Sequence, residues 1–198
     1  MAINKVEIFI PGAYYHIYNR SNAKEPLFIY EENYRFFLEK YKYYVSSYLD
    51  TIAYCLMPNH FHFILKVKDE TELKHEIKEI KNLSEIELNK KITLKFSHFF
   101  NAYTKAFNTR YRREGNLFSR QFKRKRITSE DYLKKLILYI HNNPVEAGMC
   151  DNPCEWKLSS YNELVSGRSK LIEGIHIEEV RVLFGDLKNF QYCHLINN

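Results

Sequence analysis

The stretch LMPNHFHFILKV, residues 56–67, largely decides how this chain is expected to fold. Pro58 and Asn59 form a turn signal between two apolar runs, which predicts a β-hairpin with a short connection. The second run carries His60 and His62, and side chains two apart in a strand point to the same face of the sheet. Two imidazoles about 6 to 7 Å apart on one strand face can bind one metal ion.

A plainer interpretation of these two histidines remains open. A histidine in an apolar strand is often a partly buried side chain with one hydrogen-bond partner. Burying two of them unpaired would cost free energy, so the pair raises the odds of a metal site without excluding the plainer interpretation. The turn signal places that site at the mouth of the strand.

The composition indicates one globular domain. The chain has 198 residues, of which 45% are hydrophobic, with only 6 glycines and 5 prolines. No apolar run reaches the ~18 residues that span a bilayer, and the start MAINKVEIFIPG is too short for a signal peptide. A cytoplasmic protein that does not enter the membrane is therefore expected. The four cysteines are expected to be reduced thiols, because the sequence shows no secretion signal. Cys150 and Cys154 have no second cysteine pair with which to form a zinc site.

Positive charge is concentrated in one segment. The whole chain carries +6, but residues 95–126 hold ten Lys or Arg against one Glu, so this segment carries +9 and the rest −3. Such a distribution is typical of a polyanion binder, although a merely solvated basic face is the alternative. Interleaved aromatic residues belong to the core where they recur at helical spacing, and the others could stack on unpaired bases. The candidate nucleic-acid-binding residues are Arg20, Arg110, Arg112, Arg113, Arg120, Lys123, Arg124, Lys125 and Arg126.

The order of predicted elements defines a fold class. Alternating or β-rich runs predict strands, and apolar residues at helical spacing predict helices. Residues 69–91 mix acids and lysines and are interpreted as a solvated helix or a mobile insertion. The order β-α-β-β-α-β is the ferredoxin-like α+β arrangement, with one helical layer on an antiparallel sheet and strands one and three in its centre. The predicted strands are 14–20, 50–57, 60–67 and 117–127, and the predicted helices are 31–49, 94–111 and one that begins at Ser129.

The last of these helices has a polar flank. Residues 132–143 bury a stripe made of Leu133, Leu136, Ile137 and Ile140. At 100° per residue, Tyr139 and Asn143 lie on the same side of that stripe, and Tyr132 joins them. A tyrosine in such a position is ordinarily a rim residue with its hydroxyl in water.

Several stretches together resemble one family. They are YHIYNRSN (15–22), LMPNHFHFILK (56–66), FNTRYRREGNLFSRQFK (107–123), YLKKLILYIHNNPVEAGM (132–149) and WKLSSY (156–161). With these motifs the chain resembles the REP-associated tyrosine transposases, single-tyrosine members of the HUH (His-hydrophobe-His) superfamily. The resemblance runs from Tyr14 to about Tyr161. Residues 1–166 are therefore assigned to a transposase domain, and residues 167–198 to a C-terminal extension of unknown role.

The resemblance implies a role for each residue of the candidate site. His60 and His62 correspond to the metal ligands, Tyr139 to the nucleophile and Asn143 to the third ligand. The implied ion is Mg²⁺ or Mn²⁺, and the implied substrate is single-stranded or hairpin DNA, joined to Tyr139 as a 5′-phosphotyrosine. Pro144 disfavours a helical conformation of the preceding residue, so the four-residue spacing from Tyr139 to Asn143 is expected to be loosened.

Other questions stay open at this point. A phenol of pKa about 10 is a poor nucleophile at neutral pH, and the candidates for a base are water on the metal, the phosphate itself and His141. The alternative functions are a domesticated hairpin-binding protein without strand transfer and a phosphodiesterase that uses water in place of Tyr139. The protein is expected to be a monomer or a homodimer that exchanges the tyrosine helix.

Overall fold

A four-stranded antiparallel sheet lies in the middle of the molecule. A computed structural model describes residues 7–22, 25–77, 84–119 and 121–196. The strands follow the order β2-β3-β1-β4, so β1 and β3 are central. The predicted α+β class with an antiparallel sheet is confirmed. The strands are β1 (Tyr14–Arg20), β2 (Leu49–Met57), β3 (His60–Val67) and β4 (Lys123–Ile127).

Helices cover both faces of the sheet. The predicted single layer is formed by α1 and α3, which pack on one face over an aromatic core. The helices from α4 onward add a second layer on the other face. The helices are α1 (Glu31–Val45), α2 (Glu70–Glu76), α3 (Glu85–Tyr111), α4 (Glu130–Glu146), α5 (Tyr161–Ser166), α6 (Gly174–Leu183) and α7 (Leu187–Ile196), with a 3-10 turn at Pro153–Glu155.

The predicted start of α3 is wrong, whereas its predicted end at Tyr111 is confirmed. The helix begins nine residues before Leu94, because Ser84 caps it: the Ser84 hydroxyl accepts from the Glu87 N–H, and the Glu87 carboxylate accepts from the Ser84 N–H at 2.9 Å. It ends at Tyr111, as predicted, because Arg112 adopts a left-handed conformation with φ of 51°. The interval predicted as a solvated helix or an insertion thus contains α2 and the start of α3, and residues 78–83 lie outside the described residues.

Two further bounds differ from the prediction. Helix α1 ends at Val45 rather than at residue 49, since a turn at residues 46–48 leads directly into β2. Strand β4 starts at Lys123 rather than at residue 117. In the described part of the preceding segment, Phe118 forms an isolated bridge with Ser21.

Alternation along β1 and β3 separates two environments. Tyr15, Ile17 and Phe63 point to the aromatic core under α1 and α3. His16 and His62 point to the opposite face, towards α4. The antiparallel register places Tyr18 opposite His62 and Arg20 opposite His60. One step along either strand therefore exchanges a dry core position for a polar one.

The C-terminal residues share a core with α4. Ile177, Val180 and Phe190 are buried in one cluster with the apolar stripe of α4. A buried ionic group also joins α6 to the sheet: Lys68 Nζ lies 2.6 Å from Asp50 Oδ1, and His176 Nε2 lies 3.4 Å from Asp50 Oδ2. Within the ranges that the structure describes, no helix combines the length and apolarity needed to cross a bilayer.

Candidate active site

Helix α4 and strand β3 bring four predicted residues together. Asn143 Oδ1 lies 3.1 Å from His60 Nε2. One helical turn earlier, the Tyr139 ring stands edge-on to the His62 ring, with 5.7 Å between the centroids. The Tyr139 side chain is 44% exposed, so a substrate in the adjoining cleft can reach it. The two histidines on one face of β3 and the two residues on one flank of α4 thus form a single site.

Pro144 does not loosen this arrangement, contrary to the expectation from sequence. Helix α4 continues through Pro144 to Glu146, and the Ala147 N–H donates to the Asn143 carbonyl at 3.0 Å. Pro144 lies close to the helix end, where the loss of one backbone donor removes only one hydrogen bond. Tyr139 and Asn143 consequently stay on the same face of one helix.

The His60 ring lies between two amide oxygens. Its Nδ1 is 2.7 Å from Asn59 Oδ1, and its Nε2 is 3.1 Å from Asn143 Oδ1. Burial lowers the pKa of His60, so the neutral ring carries one N–H and can donate to only one of these oxygens. If Nδ1 donates to Asn59, the Nε2 lone pair and the Asn143 oxygen converge on the same space. A cation there would satisfy both.

A third histidine supports His62 from β1. His16 Nε2 and His62 Nδ1 are 2.9 Å apart, and both side chains are buried. Burial lowers the pKa of His62 to about 3, with His16 and His60 adding to the effect, and lowers the pKa of His16 to about 4. Both rings are therefore neutral near pH 7, the form in which imidazole binds metals. Sequence reasoning missed His16; its place in β1 and the pairing of β1 with β3 were the available signal.

Two imidazoles and one amide oxygen form a donor set that fits a divalent ion. Among the described residues, no group of three His, Cys, Asp or Glu side chains could hold a metal ion. His60 and His62 supply two neutral imidazoles, and Asn143 supplies an amide oxygen, which suits a cation of intermediate hardness.

The site opens into a cleft of about 850 Å³. Arg20 and Lys123 bring positive charge to its lining, and Asn59, Gln121 and Tyr18 add polar groups and a ring. No Asp or Glu occurs among the lining residues that the structure describes. The cleft therefore favours an anionic ligand.

Strand β4 divides its cations between the two faces of the sheet. Lys123 pairs with Tyr18 and Lys125 with His16, which places both lysines on the site face. Lys125 Nζ also lies 5.0 Å from the centre of the Tyr132 ring. Tyr132 thus contacts β4 two helical turns away from Tyr139.

The arginines of β4 lie differently. Arg124 is directed to the α3 side, where its Nη1 donates to Asn89 Oδ1 and Thr93 Oγ1, each at 3.1 Å, and its guanidinium lies 4.5 Å from the Phe9 ring centre. Arg126 is exposed, and its backbone N–H donates to Glu7. The half-buried Arg124 is held inside the fold rather than offered to the cleft.

The remaining candidate arginines are spread over other surfaces. Arg110 pairs with Glu32 at 2.5 Å on the α1 side. Arg113 donates to Glu25 at 2.6 Å and organises the turn that follows α3. Arg112 is exposed at the end of α3, and Arg120 lies outside the described residues.

The stacking candidates of the basic segment pack inward. Phe118 is a core residue that contacts Phe100, and Phe122 packs on Phe96 with 4.7 Å between the centroids. The Tyr111 hydroxyl donates to Asn33 Oδ1 at 3.0 Å. These rings therefore pack within the fold, whereas the Tyr18 ring is among those that line the cleft.

His141 does not face the cleft. It is completely buried on the opposite side of α4, where its two ring nitrogens contact His194 and Ser160. It lies on the wrong side of the helix to take a proton from Tyr139. The sequence-based suggestion of His141 as a base is wrong because this side of α4 packs against the C-terminal helix.

Comparison with known proteins supports the fold. No protein-family model matches the chain, and no curated protein sequence does. A solved structure of a REP-associated tyrosine transposase bound to a REP hairpin is similar, with 17% sequence identity and a TM-score of 0.58 over 88% of this chain and 90% of that one. The chain shares the fold of that transposase, and the resemblance indicated by the motifs is confirmed at the level of the fold.

Proposed function

We propose that this chain is a single-tyrosine transposase of the REP-associated type, which cleaves and rejoins single-stranded or hairpin-containing DNA. The observation that carries this proposal is the position of Tyr139 and Asn143, one helical turn apart on α4, directly over His60 and His62 of β3. In this proposal the β-α-β-β-α-β part is a ferredoxin-like domain, and α4 is the helix that presents the nucleophile to its sheet.

The proposed metal ligands are His60 Nε2, a ring nitrogen of His62 and Asn143 Oδ1. Because His16 occupies His62 Nδ1, the Nε2 atom is the one left to bind. A bound Mg²⁺ or Mn²⁺ would neutralise charge on the non-bridging oxygens of the scissile phosphate. Asn59 and His16 orient the two rings, as partners of the second ring nitrogen commonly do.

Tyr139 is the proposed nucleophile. Its phenolic oxygen forms a bond to phosphorus while the bond from phosphorus to the 3′ oxygen breaks, which gives a 5′-phosphotyrosine and a free 3′-hydroxyl. The phenolic proton is released and the leaving oxygen gains one. A 3′-hydroxyl of another strand then attacks the phosphotyrosine and releases Tyr139. The number of phosphoesters is unchanged throughout, so rejoining needs no nucleotide cofactor.

The cleft is the proposed path of the strand. Arg20 and Lys123 attract the phosphates, and the lack of lining carboxylates in the described part avoids repulsion. The Tyr18 ring in the same lining offers a surface on which an unpaired base can stack.

A covalent trapping experiment tests the proposal. Purified protein is incubated with a labelled single-stranded hairpin and Mn²⁺, and the products are separated on a denaturing gel. The wild-type protein is expected to give a protein–DNA adduct, and mass spectrometry is expected to locate the nucleotide on Tyr139. Tyr139→Phe should abolish the adduct, whereas the matched variant Tyr132→Phe should keep it.

The other outcomes identify the alternatives. Hairpin binding without any adduct from the wild-type protein would indicate a DNA-binding protein that does not transfer strands. Cleavage that persists in Tyr139→Phe would indicate a phosphodiesterase that uses water. A nucleotide found on Tyr132 would overturn the assignment of the nucleophile.

A further inference from the structure

The buried side of α4 is joined to the C-terminal helix by a chain of hydrogen bonds. His141 Nδ1 lies 2.9 Å from His194 Nε2, and His141 Nε2 lies 2.8 Å from the Ser160 hydroxyl. His194 Nδ1 is 2.7 Å from the Phe190 carbonyl. The Tyr54 N–H of β2 donates to the Ser160 hydroxyl at 2.8 Å.

Both rings are fully buried and therefore neutral, and this fixes the direction of every bond in the hydrogen-bond chain. The Phe190 carbonyl can only accept, so His194 carries its proton on Nδ1 and its Nε2 must accept. His141 then donates from Nδ1, and its Nε2 accepts from the Ser160 hydroxyl. Ser160 in turn accepts from the backbone N–H of Tyr54. Each donor finds an acceptor, and both rings are neutral Nδ1–H tautomers.

This network lies behind the nucleophile. His141 follows Tyr139 by two residues, about 200° around the helix axis, so the two side chains leave α4 on nearly opposite sides at one level. The network holds that level of α4 to β2 on one side and to α7 on the other. Asn142 adds a further contact, because its Nδ2 donates to the His194 carbonyl at 3.3 Å.

We infer that His141 and His194 are positioning residues, through which the C-terminal extension sets the rotation of α4 and hence the place of Tyr139 over His62. This inference rests on the proposed function. The apolar stripe of α4 tolerates small rotations, since its contacts are not directional. Directed hydrogen bonds do not tolerate them. A nucleophile displaced by about 1 Å can react about 100-fold more slowly, so the network has a kinetic consequence.

The test removes the network while keeping the fold. In the double variant His141→Leu with His194→Leu, both partners become apolar together, which avoids an unsatisfied buried donor. The Ser160 hydroxyl keeps an acceptor, because the Tyr54 carbonyl lies 3.2 Å away. Adduct formation at saturating hairpin is expected to slow by about 10- to 100-fold, while the Kd for the hairpin stays unchanged.

Two single variants complete the comparison. His194→Gln provides an amide oxygen that can accept from His141, and it should restore most of the rate. Tyr192→Ala changes an exposed residue of the same helix and should leave the rate as in the wild-type protein. A folded double variant that reacts at the wild-type rate would overturn the inference. So would a His194→Gln rate as low as that of the double variant.

The wild-type protein provides an independent measurement. Nitrogen-15 NMR of labelled histidines should show both His141 and His194 as Nδ1–H tautomers. An Nε2–H signal from either ring would contradict the network, whether or not the variants fold. An absent adduct in the wild-type protein would instead count against the proposed function, because the tautomers do not depend on catalysis.

Discussion

The two faces of the central strands have opposite characters although they alternate residue by residue. On the α1 and α3 side, Phe61 and Phe63 pack in a dry aromatic core. On the α4 side, His60 and His62 face a polar cleft. The rigid core therefore fixes the strand register, and the register decides which residues become available for chemistry. Substitutions on one face at a time can test how far the two faces are independent.

The largest expected effect separates catalysis from folding. His60→Ala or His62→Ala should abolish cleavage and leave hairpin binding nearly intact, because other residues contact the phosphates. Phe63→Ala on the opposite face should instead lower the free energy of unfolding by about 3–5 kcal/mol. Denaturant melts and the adduct assay measure the two effects. Normal cleavage in the presence of EDTA would refute the metal site.

Acid should lower the free energy of unfolding through the histidines on the α4 side of the sheet. The unfolded state binds a proton on each histidine at about pH 6.5, whereas the folded pKa values of His16 and His62 are about 4 and 3. Between about pH 6.5 and the lower folded pKa values, the unfolded state binds more protons than the folded state. The free energy of unfolding therefore falls as the pH falls, by at most about 1.4 kcal/mol per pH unit for each histidine. His16→Gln should make this slope shallower. Tyr15→Phe, its neighbour on the core face, should keep the slope.

His16 should matter for metal binding before DNA is present. His16→Phe keeps a ring stacked beside Tyr18 but removes the acceptor for His62 Nδ1. Calorimetric titration with Mn²⁺ should then give an affinity lower by about 10- to 100-fold. His16→Gln retains an acceptor and should bind nearly as the wild-type protein does. Equal affinities for the Phe and Gln variants would show that the hydrogen bond does not orient His62.

The smallest expected effect distinguishes the two lysines of β4, on the site face, from Arg124, on the α3 side. Lys123→Ala with Lys125→Ala should weaken hairpin binding and reduce the slope of its salt dependence by up to about 0.7 for each phosphate that the lysines no longer neutralise. Arg124→Ala should leave the salt dependence unchanged and lower stability, because its partners Asn89 and Thr93 belong to α3. Binding measured from low to high salt provides the slopes. A reduced slope for Arg124→Ala would place that side chain on the DNA.

The sequence was sufficient to predict those elements in which residues recur at the regular spacing of a strand or a helix. Alternation predicted β1 and β3 to the residue, and helical spacing placed Tyr139 and Asn143 on one flank. The start of α3 was missed because its buried positions Leu88 and Ile92 are separated by charged residues that obscure the period, although the Ser84 cap was visible.

Long-range register could not be predicted in the same way. The four cationic side chains of β4 point alternately to the two faces of the sheet. Only the pairing of β4 with β1 decides whether the lysines or the arginines face the cleft. The contact of His16 with His62 spans 46 residues, and that of His141 with His194 spans 53. No local pattern encodes such distances. The amino-acid types suggested chemistry for each histidine, and the packing of distant elements assigned it.

The same cations of β4 have a consequence for solubility. The strand lies at an edge of the sheet, where unpaired backbone groups invite a strand from another chain. Four consecutive positive charges, Lys123 to Arg126, repel a second copy of this edge. The opposite edge, β2, is covered by its own chain, because the Leu56 N–H donates to the Leu158 carbonyl at 2.9 Å. Both edges of the sheet are thus protected against aggregation, β4 by its charges and β2 by the segment that covers it.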